Sequence, residues 1–253
     1  MIQAMTGAPD TVAATPHPSV PRTARERARA EIAREILEAA RRHLASDGAP
    51  ALSLRAIARD LGMASSALYR YIASRDELLT RLIIDAYDSL GAAAEASEAL
   101  VARDDLVGRF SAVCRAVRAW ATANPNEYAL IYGSPVPGYV APIETIAPAS
   151  RVSLLLVRIM VDATADGRVA PGVTGDAVPP PVRSALEPVR SILPIEVPDA
   201  LVQLGLMVWT ALFGTVSFEL FGQLHNAVGE GTGDRDAFFA ECVRRWACQI
   251  GIA

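Results

Sequence analysis

From residue 32 onward, apolar positions recur three and four apart: Ile32, Ile36, Leu37, Ala40 and Leu44 fall on one helical face. Thr23-Ala-Arg-Glu26 stands just ahead of them with the spacing of a capping box, in which hydroxyl and carboxylate each satisfy a free backbone N–H. Asp47-Gly48 closes the run. A second, short helix is predicted after Ser53, with Leu54, Ile57, Ala58 and Leu61 on one face and Gly62 as its stop. Ser65-Ser66 open a third helix that carries Leu68 inward. Ser74-Arg-Asp-Glu77 is a second capping box, and it starts a longer helix with Leu78, Leu79, Leu82, Ile83 and Ala86 on the buried side. The middle pair around Gly62 forms a helix-turn-helix, with residues 63–71 projecting outward. A helix of about eight residues spans roughly 12 Å, the width of a DNA major groove.

Past residue 97 the pattern stays helical. Leu106, Phe110, Val113, Cys114, Val117 and Trp120 share a face, and Asn124-Pro125-Asn-Glu127 restarts a helix with Asn as cap and Pro where its missing N–H costs nothing. Gly133–Gly138 is a loop by composition, about 142–166 a helix, and 171–181, with four prolines, a second loop. Two helices are expected to close the chain, roughly 198–227 and 234–250, separated by Gly229-Glu-Gly-Thr-Gly233. No strand-like alternation persists and no internal repeat shows. The fold class is all-α.

Charge changes the picture more than composition does. The net charge of −4 argues against a nucleic-acid partner until its placement is read. Residues 22–75 hold 11 Arg against 6 acidic residues, a net +5, and residues 76–253 hold 13 Arg against 21, a net −8. A basic block on an acidic chain is the asymmetry of a separate nucleic-acid-binding module, although a solvated Arg-rich helix has the same composition. Every basic residue is Arg, which GC-rich coding explains without reference to function. Cys114, Cys242 and Cys248 are too few and odd in number for a disulfide framework, so a reducing compartment, the cytoplasm, is expected. The start of the chain lacks a secretory signal pattern. His17, His43 and His225 lie too far apart for metal-ligand spacing, and no metal or other cofactor is expected. There is no G-x-S-x-G, P-loop or dinucleotide fingerprint, so an enzyme is a remote alternative. Residues 201–218 carry no charge, which raises a membrane-associated alternative, but Glu219 interrupts the run and no basic flank sets an orientation.

Leu54-Arg-Ala-Ile-Ala-Arg-Asp-Leu-Gly62-Met-Ala-Ser-Ser-Ala-Leu68-Tyr69-Arg70-Tyr71-Ile72, continued by Ser74-Arg75-Asp-Glu-Leu78-Leu79, resembles the DNA-binding signature of the TetR family of bacterial transcriptional regulators. The resemblance covers about residues 23–90. Ile72 stands where Phe is common and Arg75 where Lys is common; both keep the physical role. Ala64 replaces a usual serine, so the cap of the third helix passes to Ser65. Trp209-Thr-Ala-Leu-Phe213-Gly214 resembles the Trp-His-Gly-type regulatory domain of one subgroup, with Phe213 in the place of the His.

The resemblance implies phosphate contacts for Tyr69 and Tyr71, one of which has packing in the small domain as its alternative. Ser65, Ser66, Ala67 and Arg70 are candidates for base or backbone contact, and Ser53 and Arg55 for backbone contact. Arg75 opposes the dipole of its own helix, which a phosphate partner explains. Arg22, Arg25, Arg27 and Arg29 are candidates for phosphate or minor-groove contact, or simply a solvated face. Trp120, Tyr128, Tyr132, Met160, Met207, Trp209 and Phe213 are candidates for an apolar effector pocket, each equally explained as core. Phe221, Leu224, Phe238 and Trp246 are candidates for a four-helix dimer interface, with intrachain core as the alternative. The expected organisation is an arm over 1–21, a helix-turn-helix domain over 22–74, a connecting helix over 75–97 and a regulatory and dimerisation domain over 98–253. The function implied is a ligand-responsive homodimeric repressor on a pseudo-palindromic DNA operator; an activator of the same fold is not separable by sequence.

Overall fold

Reciprocal capping sets the start of the chain's first helix. Thr23 Oγ1 accepts the Glu26 N–H and Glu26 Oε2 accepts the Thr23 N–H, opening α1, Ala24–Asp47. The computed structural model describes residues 23–169, 178–191, 197–229 and 231–253. The arm expected over 1–21, Arg22 and most of the loop expected over 171–181 lie outside them. A 3-10 turn, Ala49–Ala51, leads into α2, Leu54–Asp60, α3, Ser65–Leu68, and the long α4, Arg75–Glu98. Ile36, Ala39 and Ala40 of α1, Ile57 and Ala58 of α2, Leu68, Ile72, and Leu78, Leu79 and Leu82 of α4 close into one small core. Burying an aliphatic side chain of this size contributes about 1.5–3 kcal/mol, and a core this small needs every one.

The acidic remainder is a second bundle. It comprises α5, Leu106–Ala123; α6, Pro125–Tyr132; α7, Ile146–Ala165; the short α8, Pro180–Ala185, and α9, Glu187–Arg190; and α10, Asp199–Leu220, with α11, Thr232–Gln249. No strand occurs among the described residues. Its core takes Phe110, Val113 and Val117 of α5, Leu155 and Ile159 of α7, and Val208, Leu212 and Val216 of α10. Ala86, Leu90 and Ala94 of α4 join the same core, so α4 contributes its first half to the head and its second half to the body. A small satellite cluster, Val178, Leu186 and Val202 with Val182 and Val189, seats α8 and α9 on the start of α10. Asp199 fastens it through Arg183 (2.6 Å) and Arg190 (3.1 Å).

Ion pairs tie the bundle together. Arg109, 1% exposed, donates to Glu98 (2.6 Å), to Asp162 (2.8 Å) and to the Arg103 carbonyl, joining the end of α4 to α5 and α7. Removing one partner of such a buried pair costs about 3–5 kcal/mol, because the other charge is stranded. Arg118 of α5 holds Glu219 of α10 (2.7 Å) and Asp236 of α11 (2.7 Å). Arg151 of α7 reaches across α4 to Asp88 (2.8 Å) and Glu95 (2.7 Å).

Three local expectations are corrected. Asn124 makes no cap for α6; its amide instead donates back to the Trp120 carbonyl (2.9 Å), closing α5. Pro180 and Pro181 start α8 rather than continuing a loop, since proline suits a first helical turn. The helix expected to reach residue 227 stops at Leu220, where Gly222 takes φ +81° and the chain turns away.

Candidate nucleic-acid interface and body cavities

Ser53 Oγ accepts the Ala56 N–H (3.4 Å) and starts α2, which sets Arg55 and Arg59 one turn apart in solvent. Gly62 ends it at φ +64°, with Met63 N–H on the Ala58 carbonyl (2.8 Å) and Gly62 N–H on the Arg59 carbonyl (3.1 Å). These two bonds form a Schellman closure, which needs a left-handed residue at that point. No atom crowds the missing Cβ, so the demand for glycine is one of backbone angle alone. The chain reverses into α3, with Leu68 fully buried and Ser65, Ser66, Tyr69 and Arg70 exposed.

The α-helical part of α3 is four residues long, half the expected length, and Tyr69–Tyr71 continue it as a turn. Ala64 occupies the cap position and supplies no side-chain hydrogen bond, so the cap does not pass to Ser65, which is the first helical residue. The backbone of α3 closes through the Ala67 and Leu68 N–H groups on the Ala64 carbonyl and the Tyr69 N–H on the Ser65 carbonyl. Neighbours hold two carbonyls of the turn that continues it. Arg29 of α1 donates to the Arg70 carbonyl (3.3 Å) with its guanidinium 5.6 Å from the Tyr71 ring centroid. Arg81 of α4 donates to the Tyr71 carbonyl (3.1 Å) while paired with Glu77 (2.5 Å). Glu77 also accepts the Ala73 N–H (2.6 Å), and that bond holds its carboxyl below the usual glutamate range. Sequence patterning predicted the Thr23–Glu26 capping box and the Ser74 cap, but not that Glu77 reaches back to the Ala73 N–H in place of Ser74, nor this bracing, because a guanidinium reaching a carbonyl 41 residues away leaves no periodic signal.

Two residues chosen for DNA contact have tasks within the chain. Tyr71 is half-buried against the small core. Arg75 donates to the Ala49 (2.9 Å) and Pro50 (3.3 Å) carbonyls, which accounts for a cation in that first turn. Ala67 is half-buried beside Leu68. Charge on the head is unevenly compensated. Arg41 is paired with Asp85, and Arg42 with Asp60. Among the described residues Arg25, Arg27, Arg55, Arg59 and Arg70 are exposed and have no carboxylate partner.

Two cavities are lined by described residues of the body. One, of about 290 Å³, lies between α7, α9 and α10 and is walled by Leu154, Val157, Met160, Val189, Leu201 and Trp209 among others. The second, of about 490 Å³, lies between α4, the α6–α7 loop and α7, and includes Tyr87, Ser134, Tyr139 and Thr145. Ser150 and Ser153 line both. Tyr139 also hydrogen-bonds Thr80 of α4 (2.9 Å) and packs on the head's core.

Of the seven residues expected around a pocket, Met160 and Trp209 line the first cavity. The rest do not. Tyr128 is fully buried, its hydroxyl donating to the Phe213 carbonyl (3.1 Å) beside Ser217, and Trp120 donates to Ser89 (2.9 Å). Phe213 and Tyr132 stack 4.4 Å apart in the core, and Met207 is exposed. Ser153, Leu154 and Val157 were missed beside Met160, although the spacing of the four marks a second apolar stripe on α7 beside the core stripe of Val152, Leu155 and Ile159.

Of the four residues expected at an interface, Phe221 and Phe238 are exposed and Leu224, beyond the end of α10, is half-buried. Trp246 is enclosed in its own chain's core, edge-on to Phe239 at 6.1 Å. Leu206, Met207 and Phe218 join Phe221 as exposed apolar residues on or next to α10. Only 33% of that helix's most apolar 18-residue stretch is buried.

Comparison with known proteins agrees with this geometry. Residues 36–82 match the family described as bacterial regulatory proteins, tetR family, and residues 110–246 match the tetracyclin repressor-like C-terminal domain. The HTH-type transcriptional regulators Rv1816 of Mycobacterium tuberculosis and Mb1846 of Mycobacterium bovis are each 44% identical over 203 residues, covering 79% of this chain and 85% of theirs. The crystal structure of the regulatory protein SCO4313 superimposes with a TM-score of 0.71 at 35% identity, over 88% of this chain and 98% of that one. The chain therefore belongs to the TetR family of bacterial transcriptional regulators, proteins that act on DNA and are not enzymes.

Proposed function

We propose that the chain is a ligand-responsive repressor that acts as a homodimer on a pseudo-palindromic operator in the cytoplasm. In this reading residues 22–74 are the DNA-binding head, 75–97 the connecting helix and 98–253 the regulatory and dimerisation domain. Arg55, Arg59 and Arg70, with the exposed hydroxyls of Ser65, Ser66 and Tyr69, face the duplex. Their guanidinium groups have no carboxylate to satisfy them among the described residues, so phosphates are their natural partners.

The observation that carries the reading is α4, a single helix built into both cores. A molecule that enters the body and displaces α7 acts on α4 through Arg151, and α4 moves the head. Two heads on a two-fold axis then change spacing, and operator affinity falls; two sites are coupled through two global states. The uncovered stripe of α10 supports the homodimer. That helix is pinned to its own body by Glu219–Arg118 and by buried Leu212 and Val216, so its outer apolar face meets a second copy rather than lipid.

A gel-shift titration of the full chain against the DNA upstream of its own coding sequence tests this. The expected result is a salt-sensitive specific complex with a two-fold symmetric footprint. Absence of any specific complex at low salt overturns the reading.

A further inference from the structure

We propose that the two cavities form one site for an uncharged, elongate amphipathic molecule, its chain in the α7–α10 cavity and its polar end in the α4–α7 cavity. The proposal rests on the ligand-responsive reading above and names the chemistry of the effector. The cavities meet along Ser150 and Ser153, so one molecule passing that edge touches both. The first compartment is walled almost wholly by aliphatic side chains with Met160 and Trp209. The second is lined by the hydroxyl-bearing Tyr87, Ser134, Tyr139 and Thr145.

Those hydroxyls fix the character of the polar end. Tyr87 donates to the Ile131 carbonyl and Thr145 to the Pro142 carbonyl, while Tyr139 shares a hydrogen bond with Thr80. Each oxygen can still accept, and Ser150, which donates to the Ile146 carbonyl, is in the same state. Ser134 and Ser153 add donors. An alcohol, amide or ester finds partners here. An ion does not, because among the described residues that line either compartment none is ionisable other than the two tyrosines, and burial raises the Tyr87 phenol further. Arg151, on the same helix as Ser150 and Ser153, is already held by both Asp88 and Glu95, so its charge is satisfied within the chain rather than offered to a carboxylate. A charge taken into such a site without a counter-ion loses its hydration uncompensated. The polar end, once seated, lies against Tyr139 and Tyr87, where the body meets the first half of α4.

The test uses the full-length protein with 1-octanol, 1-decanol and decanoate as probes, read by calorimetry and by thermal midpoint. Both alkanols should bind, with affinity rising about fourfold per added methylene, and decanoate should bind at least about tenfold more weakly than 1-decanol. Ser153→Phe, which fills the edge where the compartments meet, should abolish 1-decanol binding in a protein whose circular dichroism spectrum is unchanged. Equal or tighter binding of decanoate, or failure of both alkanols to bind, overturns the proposal. An operator gel shift in parallel separates the two readings. If 1-decanol binds but the DNA complex persists, the ligand chemistry stands and the effector role falls. If decanoate binds more tightly and releases the DNA, the effector role stands and this inference falls.

Discussion

A single missing methyl lets α7 lie against α4. A Cβ on Gly91 would sit 2.7–2.9 Å from the Nε, Cβ and Cδ atoms of Arg151, whose guanidinium clamps Asp88 and Glu95 on either side. The clash falls on the root of that side chain as well as its end, so rotation of the guanidinium alone does not relieve it. Gly91→Ala should therefore force the pair apart despite alanine's better helix propensity. The expected cost is about 1–3 kcal/mol in urea unfolding, the range for overpacking a fitted contact. Stabilisation by about 1 kcal/mol, the gain expected from propensity alone, would show that the two helices are not gripped at this point. The same scale explains why Gly62 is required: its φ of +64° closes α2, and the space around it is empty.

At the scale of the element, α3 is the least self-sufficient helix in the head. It has four residues and no side-chain cap, and the carbonyls of the turn that follows it, Arg70 and Tyr71, are held by Arg29 and Arg81 from two other helices. Arg81 should act through α3 without touching DNA. Arg81→Gln is expected to weaken operator binding while leaving the slope of log K against log salt unchanged, since a positioning residue neutralises no phosphate. A slope reduced by about one would make Arg81 a phosphate ligand instead. Acid should loosen the same region. Glu77 titrates below the ordinary glutamate value because the Ala73 N–H and Arg81 favour its charged form. Its contribution is fully present above the unfolded-state value and is lost as pH falls through the depressed folded value. Amide exchange at Ala73 and over Tyr69–Tyr71 should rise across that acid window, and Glu77→Gln should remove the pH dependence.

These elements also show what patterning conveys. Caps, stops and apolar spacing are local, so α1, α2, α4, α5 and α7 could be read from residues within one or two turns of each boundary. The four-residue α3 is too short to carry a period. Aromatic and Met residues pointed to a pocket, but Tyr128 and Phe213 went to the core, because a large ring is worth most where it is wholly buried. The cavity wall was written in small and aliphatic residues, Ser153, Leu154 and Val157, one helical face away from the core stripe. Separating two apolar faces of one helix requires knowing where its neighbours stand.

For the whole molecule, the distribution of apolar surface decides the state of assembly. Phe218 is 54% exposed on α10, beside Met207 at 48% and Phe221 at 42%. In the homodimer proposed, a stripe of this kind on a helix already fixed to its own body is the isologous partner face. Phe218→Asp should leave circular dichroism unchanged, because the residue contributes little to its own core. The variant should run as a monomer in light scattering and lose most of its affinity for a two-half-site operator while retaining weak binding to a half-site. A wild-type chain that is itself monomeric at micromolar concentration would contradict the assembly.

The account stands or falls on whether the unpaired arginines of the head meet phosphates. The direct measurement is a fluorescence titration of labelled operator at several salt concentrations, for the wild type and for Arg55→Gln/Arg59→Gln. Each phosphate contact adds about 0.9 to the magnitude of the salt slope. The double variant should therefore bind more weakly with a slope lower by about 1.8 per head, in a protein of unchanged thermal midpoint. An unaltered slope and affinity would place the duplex elsewhere on the molecule.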